Sequence, residues 1–236
     1  MSSQVEVKNL EVRYGQKRAV KGLTFSLGLG ESVGLLGANG AGKSSTLKAL
    51  LGMLPSTKGS ISVLGFEPGD YRAFEKLGFA PEEGSAPEYL TGLEYLVFVG
   101  SLHHPNNRGI DQEALELLSW FELNRHQRIR DYSKGMKRRI LLAQAFIGDP
   151  GLLILDEPLN GLDPLMIVKL REKLNQKRAH GTTILYSSHI LAEVEKCCSR
   201  AIILREGEIV LDASLEQIIK EYGSVERAFT EKVGRS

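Results

Sequence analysis

The chain lacks most of the features that would place it in a specialised class. It has only two cysteines in 236 residues, and they are neighbours, Cys197 and Cys198. Adjacent residues point in different directions, and a bond between them would be strained. A disulfide-stapled fold is therefore excluded. Reduced thiols are expected, as in a cytosolic compartment, with a vicinal redox switch as the functional alternative. Neither sign of charge dominates: 30 Lys and Arg stand against 29 Asp and Glu, a net charge of +1. Such a balance offers no bulk attraction to nucleic acid or to an anionic membrane, so only a local basic patch would serve that role. Long apolar runs are missing too. The greasiest region, residues 140–155, is broken by Gln144, Asp149 and Pro150, short of the ~18–20 uncharged residues of a spanning helix. Residues 1–6 lack the basic start and apolar run of a signal peptide. The chain is not expected to cross a membrane alone, so any membrane role must come through a partner.

What is present is ordinary globular material: 42% hydrophobic, 25% charged and 7% aromatic residues. That mixture excludes disorder, collagen and coiled-coil rods. No repeat or low-complexity segment interrupts it. Strand-like and helix-like runs alternate, which predicts an α/β fold around a largely parallel sheet. Residues 5–12 and 19–27 instead alternate as a β pair joined through Tyr14-Gly15-Gln16-Lys17, an antiparallel lead-in. Further strands are predicted at 32–36, 59–64, 77–80, 152–155, 182–186, 201–204 and 209–211. Helices are predicted at 44–51, 134–147, 164–178 and 190–196, with two short ones over 214–233. Between residues 84 and 147, Leu93, Leu96, Val97, Leu115, Leu117 and Leu118 recur at helical spacing, and β-branched residues are scarce. This segment is read as a helical lobe inserted into the core, which would comprise residues 1–83 and 148–236.

The run Gly37-Ala38-Asn39-Gly40-Ala41-Gly42-Lys43-Ser44 has the spacing G-x-x-x-x-G-K-[ST], after a strand and at the start of a helix. Glycines let such a loop turn, so that the N–H groups of residues 39–43 face phosphate oxygens, and the helix adds its positive end. Lys43 would reach the β and γ phosphates, Ser44 would offer its hydroxyl to Mg²⁺, and Ser45 would serve the α phosphate. The alternative is a glycine-rich turn with a solvated lysine, which the strand–loop–helix context disfavours. The apolar strand Leu152-Leu153-Ile154-Leu155 delivers two acids, Asp156 and Glu157, at its carboxyl end, where open α/β sheets bind ligands. Asp156 is the expected metal partner, and Glu157 is placed to polarise an attacking water. Without the upstream loop, such an acid pair would read as a solvated turn.

Taken in order, these residues resemble the ATP-binding cassette (ABC) ATPases, the motor subunits of ABC transporters. The likeness covers nearly the whole chain and implies a P-loop NTPase core with the antiparallel lead-in and the inserted helical subdomain. Tyr14 resembles the aromatic residue that stacks on adenine, residues 37–44 the Walker A loop, and Asp156 and Glu157 the end of Walker B. Ser133-Lys134-Gly135-Met136 resembles the signature loop, Gly161-Leu162-Asp163 the D-loop, and His189 falls at the switch histidine. The resemblance implies Mg²⁺-dependent ATP hydrolysis and an ATP-induced head-to-tail homodimer. Ser133, the Gly135 N–H and Asp163 of one protomer would then contact the nucleotide held by the other. It also implies a separate membrane permease docked near residues 82–96, and a place at the inner face of the cell membrane.

Two departures stand out. Glu82 occupies the position of the family's usual glutamine, a potential Mg²⁺ ligand, and Lys134 and Met136 replace the commoner Gly and Gln of the signature. Tyr-Ser-Lys-Gly-Met, Pro-Glu-Glu and the tail around Phe229 resemble the branch serving multidrug, antibiotic or polysaccharide exporters.

Taken alone, each residue has a plainer reading. Tyr14 could be a strand aromatic, Asp163 a helix N-cap before Pro164, and Lys137-Arg138-Arg139 a solvated helix face. His103, His104, His126 and His180 are read as surface or helix residues. Two other functions compete: an ABC-type ATPase acting on nucleic acid or ribosomes, and a nucleotide-gated clamp with negligible turnover. The first usually carries a long coiled-coil insertion or two cassettes, neither of which is visible here, and the presence of Glu157 and His189 removes any need for the second.

Overall fold

Strands β1 (Ser3–Tyr14) and β2 (Lys17–Gly28) pair antiparallel through a two-residue turn, and β3 (Ser32–Gly37) leads into helix α1 (Lys43–Leu50) in a computed structural model that describes residues 3–56, 58–103 and 109–234. Strand β4 (Lys58–Val63) adds to the free side of β1, giving a three-stranded antiparallel sheet ordered β2-β1-β4. A short helix α2 (Tyr71–Phe74), capped by Asp70, precedes β5 (Leu77–Ala80). The helical segment follows: α3 (Gly92–His103), α4 (Ile110–Trp120) and α5 (Lys134–Ala143). The chain then alternates β6 (Leu152–Asp156), α6 (Pro164–Ala179), β7 (Thr183–Ser188), α7 (Leu191–Cys197), β8 (Arg200–Arg205) and β9 (Glu208–Ser214), and closes with α8 (Leu215–Tyr222) and α9 (Val225–Val233).

The second sheet is ordered β5-β6-β7-β3-β8-β9, parallel throughout except for the β8–β9 hairpin. Its central strands are buried on both faces, which is why they are mostly apolar, with polar residues largely at their ends. Their side chains alternate between two cores. Leu152, Ile154, Leu185, Ile202 and Leu204 join α1 and the antiparallel sheet, whereas Leu153, Leu155, Tyr186, Ala201 and Ile203 join the helical segment and α6–α9. The two layers press β3, β6 and β7 from opposite sides and fix where their carboxyl ends emerge.

Helix α5 ends earlier than its apolar pattern predicts, at Ala143 rather than residue 147, and Gln144–Phe146 tighten into a 3₁₀ turn. Contact with β5 accounts for this. The Ala145 carbonyl lies 1.8 Å from where a Cβ on Gly78 would stand, and Gln144 Nε2 donates to Phe79 O at 3.1 Å. The helical segment is thus attached to the sheet edge by backbone contact that only glycine permits. The cysteines are free and buried, Cys197 ending α7 and Cys198 extended after it; burial pushes their thiols up to about 11 and about 12, so neither is a ready thiolate at neutral pH. Among the described residues no helix is long and apolar enough to cross a membrane. His126 and His180 are exposed, His103 ends α3 with Nδ1 2.6 Å from Phe74 O, and His104 lies outside the described residues.

Candidate active site

The loop between β3 and α1 turns where glycine is the only residue that fits. A Cβ on Gly37 would stand 2.7 Å from Ala41 Cβ and 2.8 Å from Leu204 O, and Gly42 has φ +106° with Ala19 O 2.7 Å from its missing Cβ. Gly42 is also the cap of α1 and brings no side chain to the helix's first N–H groups, which leaves donors for an anion. One N–H departs from the sequence expectation. Ala41 N donates to Ala38 O at 3.0 Å and closes a turn inside the loop, so it does not face a ligand. The Ala41 carbonyl accepts from Gly207 N at 3.0 Å, tying the loop to the β8–β9 turn.

A cleft of about 310 Å³ opens over this loop, lined by Tyr14, Lys17, Ala19, Ala38, Asn39, Gly40, Ala41, Gly42, Lys43, Ser44, Ser45, Glu82 and Glu157. Tyr14 is about half exposed at its mouth, and its hydroxyl lies 3.4 Å from Ser45 Oγ. Lys43 is buried; its ammonium donates to Gly37 O at 2.7 Å and lies 3.8 Å from Glu157 Oε1. The other Glu157 oxygen, Oε2, lies 2.7 Å from His189 Nδ1 and accepts from His189 N at 3.2 Å. A carboxylate can only accept, so Nδ1 carries the hydrogen, and Nε2 stays uncommitted on an exposed ring.

Ser187, which the sequence reading passed over, holds the acid pair. Its hydroxyl donates to Asp156 Oδ1 at 2.5 Å and accepts from Glu157 N at 3.0 Å. Register explains the placement, because β6 and β7 pair with Asp156 opposite Ser187. The signal was a serine pair, Ser187-Ser188, ending an apolar strand just before His189.

The basic cluster on α5 is not a solvated face. Lys137 fits that description, reaching Glu88 at 2.7 Å, but Arg138 is only 7% exposed. Arg138 shares a helix face with Leu141, Leu142 and Ala145, at spacings of three, four and seven, and that periodicity is the mark of burial. Its guanidinium donates to the carbonyls of Glu82 (3.1 Å), Asp156 (3.0 Å) and Glu157 (2.7 Å), and also to that of Pro81. Burial pulls its pKa down, against the carboxylates of Asp156, Glu82 and Glu157. Arg139 pairs with Asp163 and, at 3.2 Å, with Glu122.

Ser133 caps α5, accepting from Met136 N at 3.2 Å, and is exposed. Neither Ser133 nor Gly135 lines the cleft of their own chain. A separate cleft of about 570 Å³ runs from Glu82 past Lys134 to Asn160 and Gly161. There Asn160 Nδ2 donates to Glu82 Oε1 at 3.3 Å. Asp163 caps α6, accepting from Met166 N at 3.0 Å, and Pro164 fills the first helical position. The Met166 N–H, with Arg139 beside it, holds the Asp163 carboxyl below the usual range.

Residues 20–160 match the ABC transporter family. The linearmycin resistance ATP-binding protein LnrL of Bacillus subtilis is 38% identical over 87% of this chain and 68% of its own length. The Nod factor export ATP-binding protein I of Rhizobium johnstonii is 38% identical over 92% of this chain and 71% of its own. A solved ATP-binding subunit of an ABC transporter superposes with a TM-score of 0.90 at 33% identity, covering 97% of this chain and 99% of that one. Against ABC transporter ATP-binding proteins of Nostoc and Synechocystis the chain spans only 61% and 58% of their length. On the matched family and the relatives' shared length, the chain belongs to the ABC transporter ATP-binding proteins, with their P-loop NTPase fold.

Proposed function

We propose that this chain is the ATP-binding and ATP-hydrolysing subunit of an exporter whose membrane-spanning permease is a separate polypeptide. The observation that carries the chemistry is the setting of Glu157, on the wall of the phosphate-loop cleft between Lys43 (3.8 Å) and His189 (2.7 Å). In this reading Tyr14 stacks on adenine, the N–H groups of Asn39, Gly40, Gly42 and Lys43 cradle the phosphates, Lys43 neutralises the β and γ groups, and Ser45 serves the α phosphate. Glu157 polarises the attacking water, and His189, held by Glu157, steadies water and γ-phosphate.

Mg²⁺ takes hard oxygen donors, usually one or two carboxylates beside phosphates and retained waters. The donors here suit it. Ser44 brings a hydroxyl, and Asp156 keeps a second carboxylate oxygen beyond the one engaged by Ser187; the exposed Glu82 would add a third ligand. When bound, the ion offsets phosphate charge.

Two copies would close head to tail, with Ser133, the Gly135 N–H and Asp163 of each reaching the partner's nucleotide. Support comes from the exposure of Ser133 and from its absence from its own chain's cleft. Export is favoured by the names of the relatives, linearmycin resistance and Nod factor export. The permease would dock near residues 82–96, where Tyr89 stands 72% exposed, and would hold the subunit at the inner membrane face.

Glu157→Gln tests the assignment. Nucleotide affinity should stay within about threefold while hydrolysis falls on the order of a hundredfold or more, and ATP-bound dimers should accumulate. Wild-type turnover in Glu157→Gln would remove Glu157 from the chemistry. Purification from native membranes without any integral membrane protein would overturn the transport reading.

A further inference from the structure

Glu157 has φ +46°, in the left-handed region that a side chain-bearing residue seldom enters. Backbone held there needs support from its surroundings. Three groups supply it. Ser187, on the sheet, takes the Glu157 N–H at 3.0 Å, while the Glu157 carbonyl accepts from Asn160 N at 3.1 Å within its own turn and from Arg138, on α5, at 2.7 Å. The same guanidinium reaches Asp156 O at 3.0 Å, Glu82 O at 3.1 Å and Pro81 O, so a single buried fork spans the loop after β5 and the end of β6. Its Nε has no hydrogen-bond partner, so the four carbonyls are its whole polar anchorage among the described residues.

Arg138 lies five positions after Ser133, the cap of the same helix. At ~1.5 Å per residue that is roughly 7–8 Å of rigid rod. Whatever seats the start of α5 therefore also seats the guanidinium. A shift of the helix by even ~1 Å would take bonds of 2.7–3.1 Å out of hydrogen-bonding range.

We propose that Arg138 is a positioning residue for hydrolysis: it aims Glu157 by gripping its carbonyl from the helical segment, so that turnover depends on where α5 sits. The inference rests on the proposed ATPase activity. Arg138 touches neither nucleotide nor water; it acts through Glu157, and through the loop at Pro81 and Glu82 that it binds alongside.

The test uses the purified full chain with Mg-ATP. Arg138→Met should lower kcat per bound nucleotide at least tenfold, with KM and ATP stoichiometry within about twofold of wild type. Loss of folded protein alone would lower stoichiometry and leave kcat per site unchanged, and that pattern overturns the proposal. Epistasis gives the sharper reading. In a Glu157→Gln background Arg138→Met should alter the residual rate less than twofold, because the group it aims is gone; a further tenfold loss there also overturns it. If Arg138→Met does not fold, Arg138→Lys replaces it. A point charge cannot span four carbonyls, so kcat should fall at least fivefold at full stoichiometry, and wild-type kcat in Arg138→Lys refutes the assignment. An inactive wild-type chain would instead sink the ATPase reading, a different failure from an active wild type matched by an equally active Arg138 variant.

Discussion

Lys43 and Ser133 each stand at the start of a helix behind a short loop, yet the two helix ends are finished in opposite ways. Ahead of α1 the cap is Gly42, left-handed and without a side chain, so the helix's first N–H groups stay open to a ligand. Ahead of α5 the cap is Ser133, whose oxygen already accepts from Met136 N. The first end is walled in: Lys43 is buried with its ammonium on Gly37 O and near Glu157. The second is exposed, and neither Ser133 nor Gly135 lines the cleft of the first. A hydroxyl has one donor and two acceptor sites, so Ser133 can cap its helix and still donate outward. The lesson is that the first helix end is walled by residues of its own chain, whereas the second is left open, as the proposed head-to-tail dimer would require.

The largest expected effect tests the walled-in end. Lys43→Ala removes the buried cation of the cleft and leaves Glu157 facing phosphates without it. ATP binding to the single chain should weaken by more than a hundredfold, roughly 3 kcal/mol or more by the usual conversion. Titration with a fluorescent nucleotide measures it, and affinity within tenfold of wild type would mean that Lys43 is not a phosphate ligand.

Ser133→Ala probes the other end and should give the converse pattern. Single-chain affinity should change less than twofold, while ATP-dependent dimerisation in a Glu157→Gln background should disappear by light scattering. Losing the cap costs about 1 kcal/mol, or about 2–4 °C in Tm for a chain of this size. Ser133→Asn separates the two roles, since asparagine caps as well as serine. It should recover Tm without recovering the dimer. Recovery of both would reduce Ser133 to a cap.

The same contrast marks what could be read from the sequence. Residues 37–44 and the strand that delivers Asp156 and Glu157 were legible because each is a local pattern whose chemistry constrains its spacing, whereas His189 was singled out only through the family resemblance. The central strands of the large sheet were legible because burial on both faces fills most of their length with apolar residues and confines the polar ones largely to their ends. Ser187 and Arg138 were not. Their roles depend on pairing between β6 and β7 and on the packing of α5 against β5, contacts made across 30 residues for Ser187 and Glu157 and 57 for Arg138 and Pro81. A basic triplet suggests a wet surface, and only the helical period through Leu141, Leu142 and Ala145 turns Arg138 inward. The early end of α5 was hidden for the same reason, because the Gly78–Ala145 approach is tertiary.

The smallest effect concerns the link between the two ends. Asp163 caps α6 and also pairs with Arg139 on the helix that Ser133 begins, joining the signature segment to the loop that follows Glu157. Asp163→Asn keeps the cap and removes the pair, so its Tm should lie slightly below wild type at pH 7. The pH dependence has a definite sign. The folded carboxyl is held below its usual value, first by the Met166 N–H and then by Arg139. Its stabilising contribution is therefore full above the unfolded carboxylate value of about 3.9 and fades as pH falls through the lower folded value. The Tm gap between wild type and Asp163→Asn should hold constant from pH 8 to pH 5 and shrink in more acidic buffer. Because the carboxylate is exposed, salt should shrink the gap as well. A gap that widens on acidification, or one indifferent to salt, would mean that the Arg139 pair contributes nothing to the link between α5 and the loop after Glu157.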